Sequence, residues 1–322
     1  MPHGFGGRLG SPGMMRLSSL RHLFKTLLRR VPLGRTRLQQ TIALAFYAVM
    51  AAVFATFALA SSNATDNGDR AMAAGDYATA MKYYLQAAKQ NDPWAQENIG
   101  KLYENGWGVT KDFAQAALWY KKSADQGNSW GEYSLAQLYE NGTGVEQNIG
   151  KAAQLYRQSA LQRNHWGEYN LGRMYENGTG VDKKLADALR WYGKAASAGI
   201  PWAQYNLANM LHDGEGTAVD LGGAAKWYAK AAQQGNGWSQ FKLGLMYQAG
   251  EGVKQDDRKA AGLFKQAADQ GIAPAQASYA QALEQGKGVK ADKATAIKFY
   301  KLAAAQPNPP SWVMDRLKAL GA

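Results

Sequence analysis

Residues 202–235 read WAQYNLANMLHDGEGTAVDLGGAAKWYAKAAQQG: one helix-sized segment, a turn with two glycines, and an alanine-rich second segment. The landmarks of this stretch recur along the chain. Seven aromatic residues lie 36 positions apart, at Tyr84, Tyr120, Tyr156, Tyr192, Tyr228, Phe264 and Tyr300. An alanine stands four residues before each, Ala80 through Ala296, and another four residues after, Ala88 through Ala304. A unit that closes on itself needs no such spacing. A chain that stacks copies of one small unit does.

Each copy predicts two helices. In the first, called A, the apolar positions Trp130, Tyr133, Leu135, Leu138 and Tyr139 fit a helical period. Ser129 and Glu132 have capping-box spacing, and Asp92-Pro93 is a start signal with proline just inside the first turn. Helix A should end at Gly106, Gly142, Gly178, Gly214, Gly250 and Gly286, because a left-handed end position favours glycine. A second glycine follows two residues later, then Val109, Val145, Val181, Val253 or Val289, with Thr217 as the exception. That valine is expected to fold back onto the core.

The second helix, B, should be capped by Asp112, Asn148, Asp220, Asp256 and Asp292. Lys184 breaks the series, with Asp182 nearby as a substitute. Small residues on either side of a large ring, as at Ala116, Tyr120 and Ala124, let neighbouring helices approach while the ring fills the gap. No pair buries its own apolar face, so stability must come from stacking.

The domain plan is then a basic leader, 1–41; an apolar segment, 42–60; a short first unit, 63–93; six units of 36 residues over 94–309; and a cap, 310–322. The six are 94–129, 130–165, 166–201, 202–237, 238–273 and 274–309.

Formal charge is +12, from 37 Lys and Arg against 25 Asp and Glu, yet the total misleads. Residues 1–60 carry eight bases and no acid, so the repeats are nearly balanced. Nucleic-acid recognition needs a concentrated basic face, and the repeats have none. The chain has no cysteine, which excludes disulfides, thiolate metal sites and a cysteine nucleophile.

Ile42 to Ala60 is a run of 19 residues without a charge, preceded by Arg29, Arg30, Arg35 and Arg37. The length approaches the ~20 residues that cross a bilayer. The positive flank should stay cytoplasmic. The expectation is a single span in the cell inner membrane with the repeats facing the periplasm. The alternative is a signal cut after Ala60, in Ala58-Leu59-Ala60-Ser61, releasing a periplasmic or secreted protein. Residues 15–31 also carry helically spaced Leu17, Leu20, Phe24, Leu27, Leu28 and Val31 among bases, which fits either a membrane-surface helix or an unstructured leader.

The pattern Ala-Gln-x-x-Leu-Gly-x-x-Tyr-x-x-Gly-x-Gly-Val, followed by Ala-x-x-x-Tyr-x-x-x-Ala-x-x-Gly, resembles the Sel1-like repeat family. Residues 94–127 and 202–235 carry it well, and 94–309 hold six copies in register. The short first unit looks more like a tetratricopeptide repeat. The resemblance implies an all-α fold, a right-handed α/α superhelical solenoid, acting as an adaptor for protein complexes, frequently in bacterial envelopes. Cysteine-rich members are linked to β-lactam chemistry, which this cysteine-free chain does not inherit.

Catalytic signals are weak. Gly127-Asn128-Ser129-Trp130-Gly131 matches Gly-x-Ser-x-Gly, but that elbow needs a strand before it, and this copy joins two helices. Two of the four histidines, His3 and His22, lie in the leader, while His165 and His212 sit in different units. No catalytic, metal or cofactor role is assigned.

The candidate binding residues lie on helix A. Trp94, Trp130, Trp166, Trp202 and Trp238 are 36 apart. Three residues on stand Tyr133, Tyr169, Tyr205 and Phe241, with Glu97 in the first copy; seven on stand Lys101, Gln137, Arg173, Asn209 and Leu245. Positions i, i+3 and i+7 share one face. By the resemblance, A helices line the concave surface, so these rows form a ladder of rings for a protein or peptide, or alternatively for a glycan of envelope or wall assembly. Aromatic residues and arginine are common binding anchors. The competing reading is that each tryptophan only packs against the preceding helix B.

Overall fold

The computed structural model describes residues 63–322, together with Val49. The leader, residues 1–41, and the apolar segment, 42–60, therefore lie outside the described residues apart from that one position. Among the described residues, no helix is long and apolar enough to cross a membrane.

The described chain is all-helical, with fifteen helices and no strand among the described residues. Helix α1 covers residues 63–73. It is followed by α2 (Tyr77–Ala88), α3 (Pro93–Asn105), α4 (Phe113–Ala124), α5 (Ser129–Asn141), α6 (Ile149–Leu161), α7 (His165–Asn177) and α8 (Leu185–Ser197). Then come α9 (Pro201–Asp213), α10 (Leu221–Gln233), α11 (Gly237–Ala249), α12 (Asp257–Asp269), α13 (Ala273–Gln285), α14 (Lys293–Ala304) and α15 (Ser311–Ala319). Odd numbers up to α13 are A helices and even numbers are B helices. The chain divides into two units, Met1–Glu146 and Gln147–Ala322. Within the first, consecutive helices from α2 to α5 pack on one another; within the second, those from α6 to α15 do.

Helix boundaries follow the local signals. Every A helix from α3 to α13 stops at a left-handed glycine, with φ between 66° and 76°. Asp112, Asn148, Asp220, Asp256 and Asp292 cap the B helices, each accepting backbone N–H donors of the first turn. Two expectations are corrected. The cap of α5 is Asn128, whose side chain accepts from Trp130 N and Gly131 N, so Ser129 is already inside the helix. The start of α8 has Lys184 at the cap position and no side-chain cap, and Asp182 does not replace one.

The 36-residue rings are the core. Tyr84, Tyr120, Tyr156, Tyr192, Tyr228, Phe264 and Tyr300 are all buried. Burying a phenol strands its hydroxyl unless a partner is supplied. The partner is an acid 16 residues earlier: Tyr120 donates to Glu104 Oε2 at 2.5 Å, Tyr192 to Glu176 Oε2 at 2.5 Å, and Tyr300 to Glu284 Oε2 at 2.9 Å. Burial first, and then the neighbouring carboxylate, holds the Tyr120, Tyr192 and Tyr300 phenols above their ordinary range. At Tyr228 the corresponding position is His212, and the hydroxyl turns instead to Asn209 Oδ1 at 2.5 Å. Where the ring is Phe264 and has no hydroxyl, the corresponding position is Gln248.

The A helix leaves room for the ring. A Cβ at Gly172 would stand 2.8 Å from Tyr192 Cδ1, and one at Gly100 would meet Tyr120 just as closely. The second glycine of each turn has a different task. A Cβ at Gly108 would lie 2.8 Å from the carbonyl carbon of Tyr77, and at Gly216 it would lie 2.6 Å from that of Leu185. Each of these turns presses its backbone against the first residue of the preceding B helix. Val109, Val253 and Val289 then pack on the core, as expected.

Candidate functional site

In the second unit the helix A rings form short relays running inward. Trp166 meets Tyr169 edge-on at 6.1 Å, and Tyr169 leans on buried Tyr192 at 5.8 Å. Trp202, Tyr205 and Tyr228 repeat this at 6.0 and 6.1 Å, and Trp238, Phe241 and Phe264 at 6.5 and 6.0 Å. Edge-to-face geometry is the favoured arrangement for such pairs. The middle ring is therefore committed to packing, with one side on the tryptophan and one on the core. Burial also pushes the Tyr169 phenol up, against the opposing effect of Arg173. Trp166 and Trp202 are half-buried and Trp238 is 40% exposed. Each of these tryptophans packs against the ring three residues on and leaves part of its surface exposed.

The polar column seven residues on does not behave uniformly. Asn209 accepts the Tyr228 hydroxyl and is spent on the core. Leu245 packs against the hydrophobic cluster of the last repeats. Arg173 is half-buried.

In the first unit, Trp130 meets Tyr133 at 5.9 Å in the same edge-on manner, with Gln137 half-buried one turn beyond. The copy on α3 departs from the pattern. Trp94 Nε1 donates to Asp69 Oδ1 at 3.2 Å, which also accepts the Tyr84 hydroxyl at 2.7 Å. The Lys101 ammonium stands 5.8 Å from the Trp94 ring and 5.5 Å from the Trp130 ring, so it bridges the tryptophans of two successive repeats. Below it is Glu97, whose side chain is 0% exposed and whose Oε1 is 2.9 Å from Lys101 Nζ.

Sequence reasoning missed the role of Asp69 and Glu97. Asp69 had no signal, since the first unit lacks the turn that sets the register. Glu97 had one: it is the single acid in a column that continues as Tyr133, Tyr169, Tyr205, Phe241 and Ala277.

Burial holds the Glu97 carboxyl above its usual range; Lys101 opposes that shift, and Glu104 and Asp69 add to it. A folded-state pKa above the unfolded value means that the native state binds the proton more tightly. Glu97 therefore contributes stability that is fully present below about pH 4.5 and lost as pH rises through its folded value. The expected outcome is that wild type loses stability relative to Glu97→Gln as pH rises through this window. Urea midpoints of both proteins at pH 4 and pH 7 check it; parallel curves would refute it.

Nothing at Ser129 resembles a nucleophile elbow. The segment before it is helix α4, and Gly127 (φ 74°) and Asn128 make the turn and cap between two helices.

Two solved structures place the fold among known proteins. A protective antigen of uropathogenic Escherichia coli, described as displaying an SLR fold, is 32% identical with a TM-score of 0.74 over 81% of this chain and 56% of its own. The chain thus spans little more than half the length of that protein. A Sel1 repeat protein from Oxalobacter formigenes is 28% identical with a TM-score of 0.68, over 77% of this chain and 99% of its own. No curated protein matches the chain. The Sel1 repeat profile matches residues 53–92, 95–128, 131–164, 167–200, 203–236, 239–272 and 273–308, taking in the short first unit as well. These repeats generally serve as scaffolds for protein interaction, and this chain belongs to the Sel1-repeat family.

Proposed function

We propose that this protein is a non-catalytic adaptor of the bacterial cell envelope, holding a protein or peptide on its A-helix face. The observation that carries the reading is the tryptophan column. Each indole is half-buried or exposed, and each from Trp130 to Trp238 is held edge-on by the aromatic ring three residues later. A ring already fixed in place loses little freedom on binding, which is what makes aromatic anchors effective. Residues 42–60 supply the membrane anchor in this reading, or a signal that is removed, and the repeats work in the periplasm.

The test is capture from envelope extract by the full-length chain, beside the double variant Trp166→Ala/Trp202→Ala. A protein partner should be retained by wild type and lost at least about tenfold by the variant, as expected for two anchor residues. Thermal unfolding of the variant must still be cooperative. Wall fragments retained without protein would overturn the adaptor reading.

A further inference from the structure

Four repeats place a ring three residues after the tryptophan of helix A; α3 places Glu97 there. Burying a carboxylate is costly unless a counter-charge and hydrogen bonds are supplied. Glu97 is incompletely supplied. Lys101 Nζ is near Oε1 in distance but not in a well-aligned hydrogen bond, and Oε2 has no hydrogen-bond partner. The surroundings are acidic. Asp69 and Glu104 both act on Glu97 through their charge. Their own hydrogen bonds come from neutral donors: Trp94 and Tyr84 for Asp69, and Tyr120 for Glu104. Of the charged groups acting on Glu97, two are acids and Lys101 is the cation.

That lysine is held as a guest cation would be. Its ammonium lies between the Trp94 and Trp130 rings and above a buried acid, while its side chain stays 33% exposed. Two indole faces and a carboxylate are the parts of a cation-binding cage. A guanidinium suits it better than an ammonium. It is planar, stacks on aromatic faces and offers paired N–H donors to both carboxylate oxygens, including the one left without a partner. Lysine is joined to its helix by a flexible four-carbon stem and can swing outward.

We infer that Trp94, Glu97 and Trp130 form a subsite for an arginine side chain of the bound peptide, with Lys101 as a resident occupant that the arginine displaces. This rests on the adaptor reading and adds to it the chemistry of one partner residue. The basic character of that residue follows from the local charge, not from the nearly neutral repeats as a whole.

The probe is N-acetyl-argininamide, with its citrulline counterpart as the neutral isostere, titrated against the full-length chain in detergent. The readout is the indole N–H resonances of Trp94 and Trp130. The arginine probe should shift both saturably, and the citrulline probe at least about fivefold less at equal concentration, the scale of a desolvated cation–ring contact. Glu97→Gln should remove the difference between probes. Lys101→Met should tighten arginine binding by about tenfold, since the competing ammonium is gone. That gain is something a merely structural lysine would not give. Equal shifts from both probes, or weaker binding by Lys101→Met, would overturn the inference.

Selection of random peptides on the same chain separates the two levels. Peptides that bind without a basic residue, indifferent to Glu97→Gln, remove the subsite and leave the adaptor standing. No peptide bound while the arginine probe still shifts both indoles would sink the adaptor reading and leave the subsite.

Discussion

Gly216→Ala is expected to cost about 3–5 kcal/mol of stability, where Gly235→Ala costs about 1–2 kcal/mol. Both glycines have a positive φ, 74° and 85°, so an alanine at either must adopt the left-handed region. The difference lies in what the methyl meets. At Gly235 there is nothing within 4 Å. At Gly216 the methyl falls 2.6 Å from the Leu185 carbonyl carbon, 2.7 Å from its oxygen and 3.0 Å from Ala186 N. These are backbone atoms at the head of α8 and cannot rotate away. The turn after α9 must then lift off the preceding B helix. Urea unfolding of the two variants side by side is the measurement. Equal losses would mean that the close approach contributes nothing beyond the dihedral strain.

Tyr192→Ala should cost a similar 3–5 kcal/mol, the range for removing a large ring from a core. The ring is fully buried against Gly172 and Tyr169, so its loss leaves a hole that stiff helices cannot close. Tyr192→Phe isolates the hydroxyl. It should cost about 1–2 kcal/mol, because Glu176 loses its donor. Adding Glu176→Gln to Tyr192→Phe should recover most of that loss, since the chain already uses this pairing at Phe264 and Gln248. A double-mutant cycle reads the coupling directly. Strict additivity would show that the hydrogen bond is incidental.

The fold was legible because its period is written in residues with few alternatives. Glycine at a left-handed helix end and alanine beside a buried ring are demanded by sterics, so Gly250 or Ala224 could be placed from sequence alone. The ring-to-acid pairing was also legible, in the joint change at Phe264 and Gln248, but it needs two positions 16 apart to be read together. Caps were less secure. Ser129 and Asn128 are both good cap residues, and only the backbone decides between them. The candidate site was half visible. Periodicity found the tryptophans, yet it could not tell that Asn209 would be taken by Tyr228 or that Lys101 would reach the next repeat's indole. Those depend on how far a flexible side chain extends across a seam, which spacing does not encode.

The second glycine of each turn comes up against the first residue of the B helix in the repeat directly before it, from Gly108 on Tyr77 to Gly288 on Asp257. Gene duplication or loss can therefore lengthen or shorten such a chain by whole periods, rejoining like surfaces with like. Excising residues 203–238 would place Ser239 in the register that Ala203 holds now. Any cut that is not a multiple of 36 would instead strand an unpaired hairpin face in water. Reach, in a protein built this way, is a heritable quantity that changes in steps.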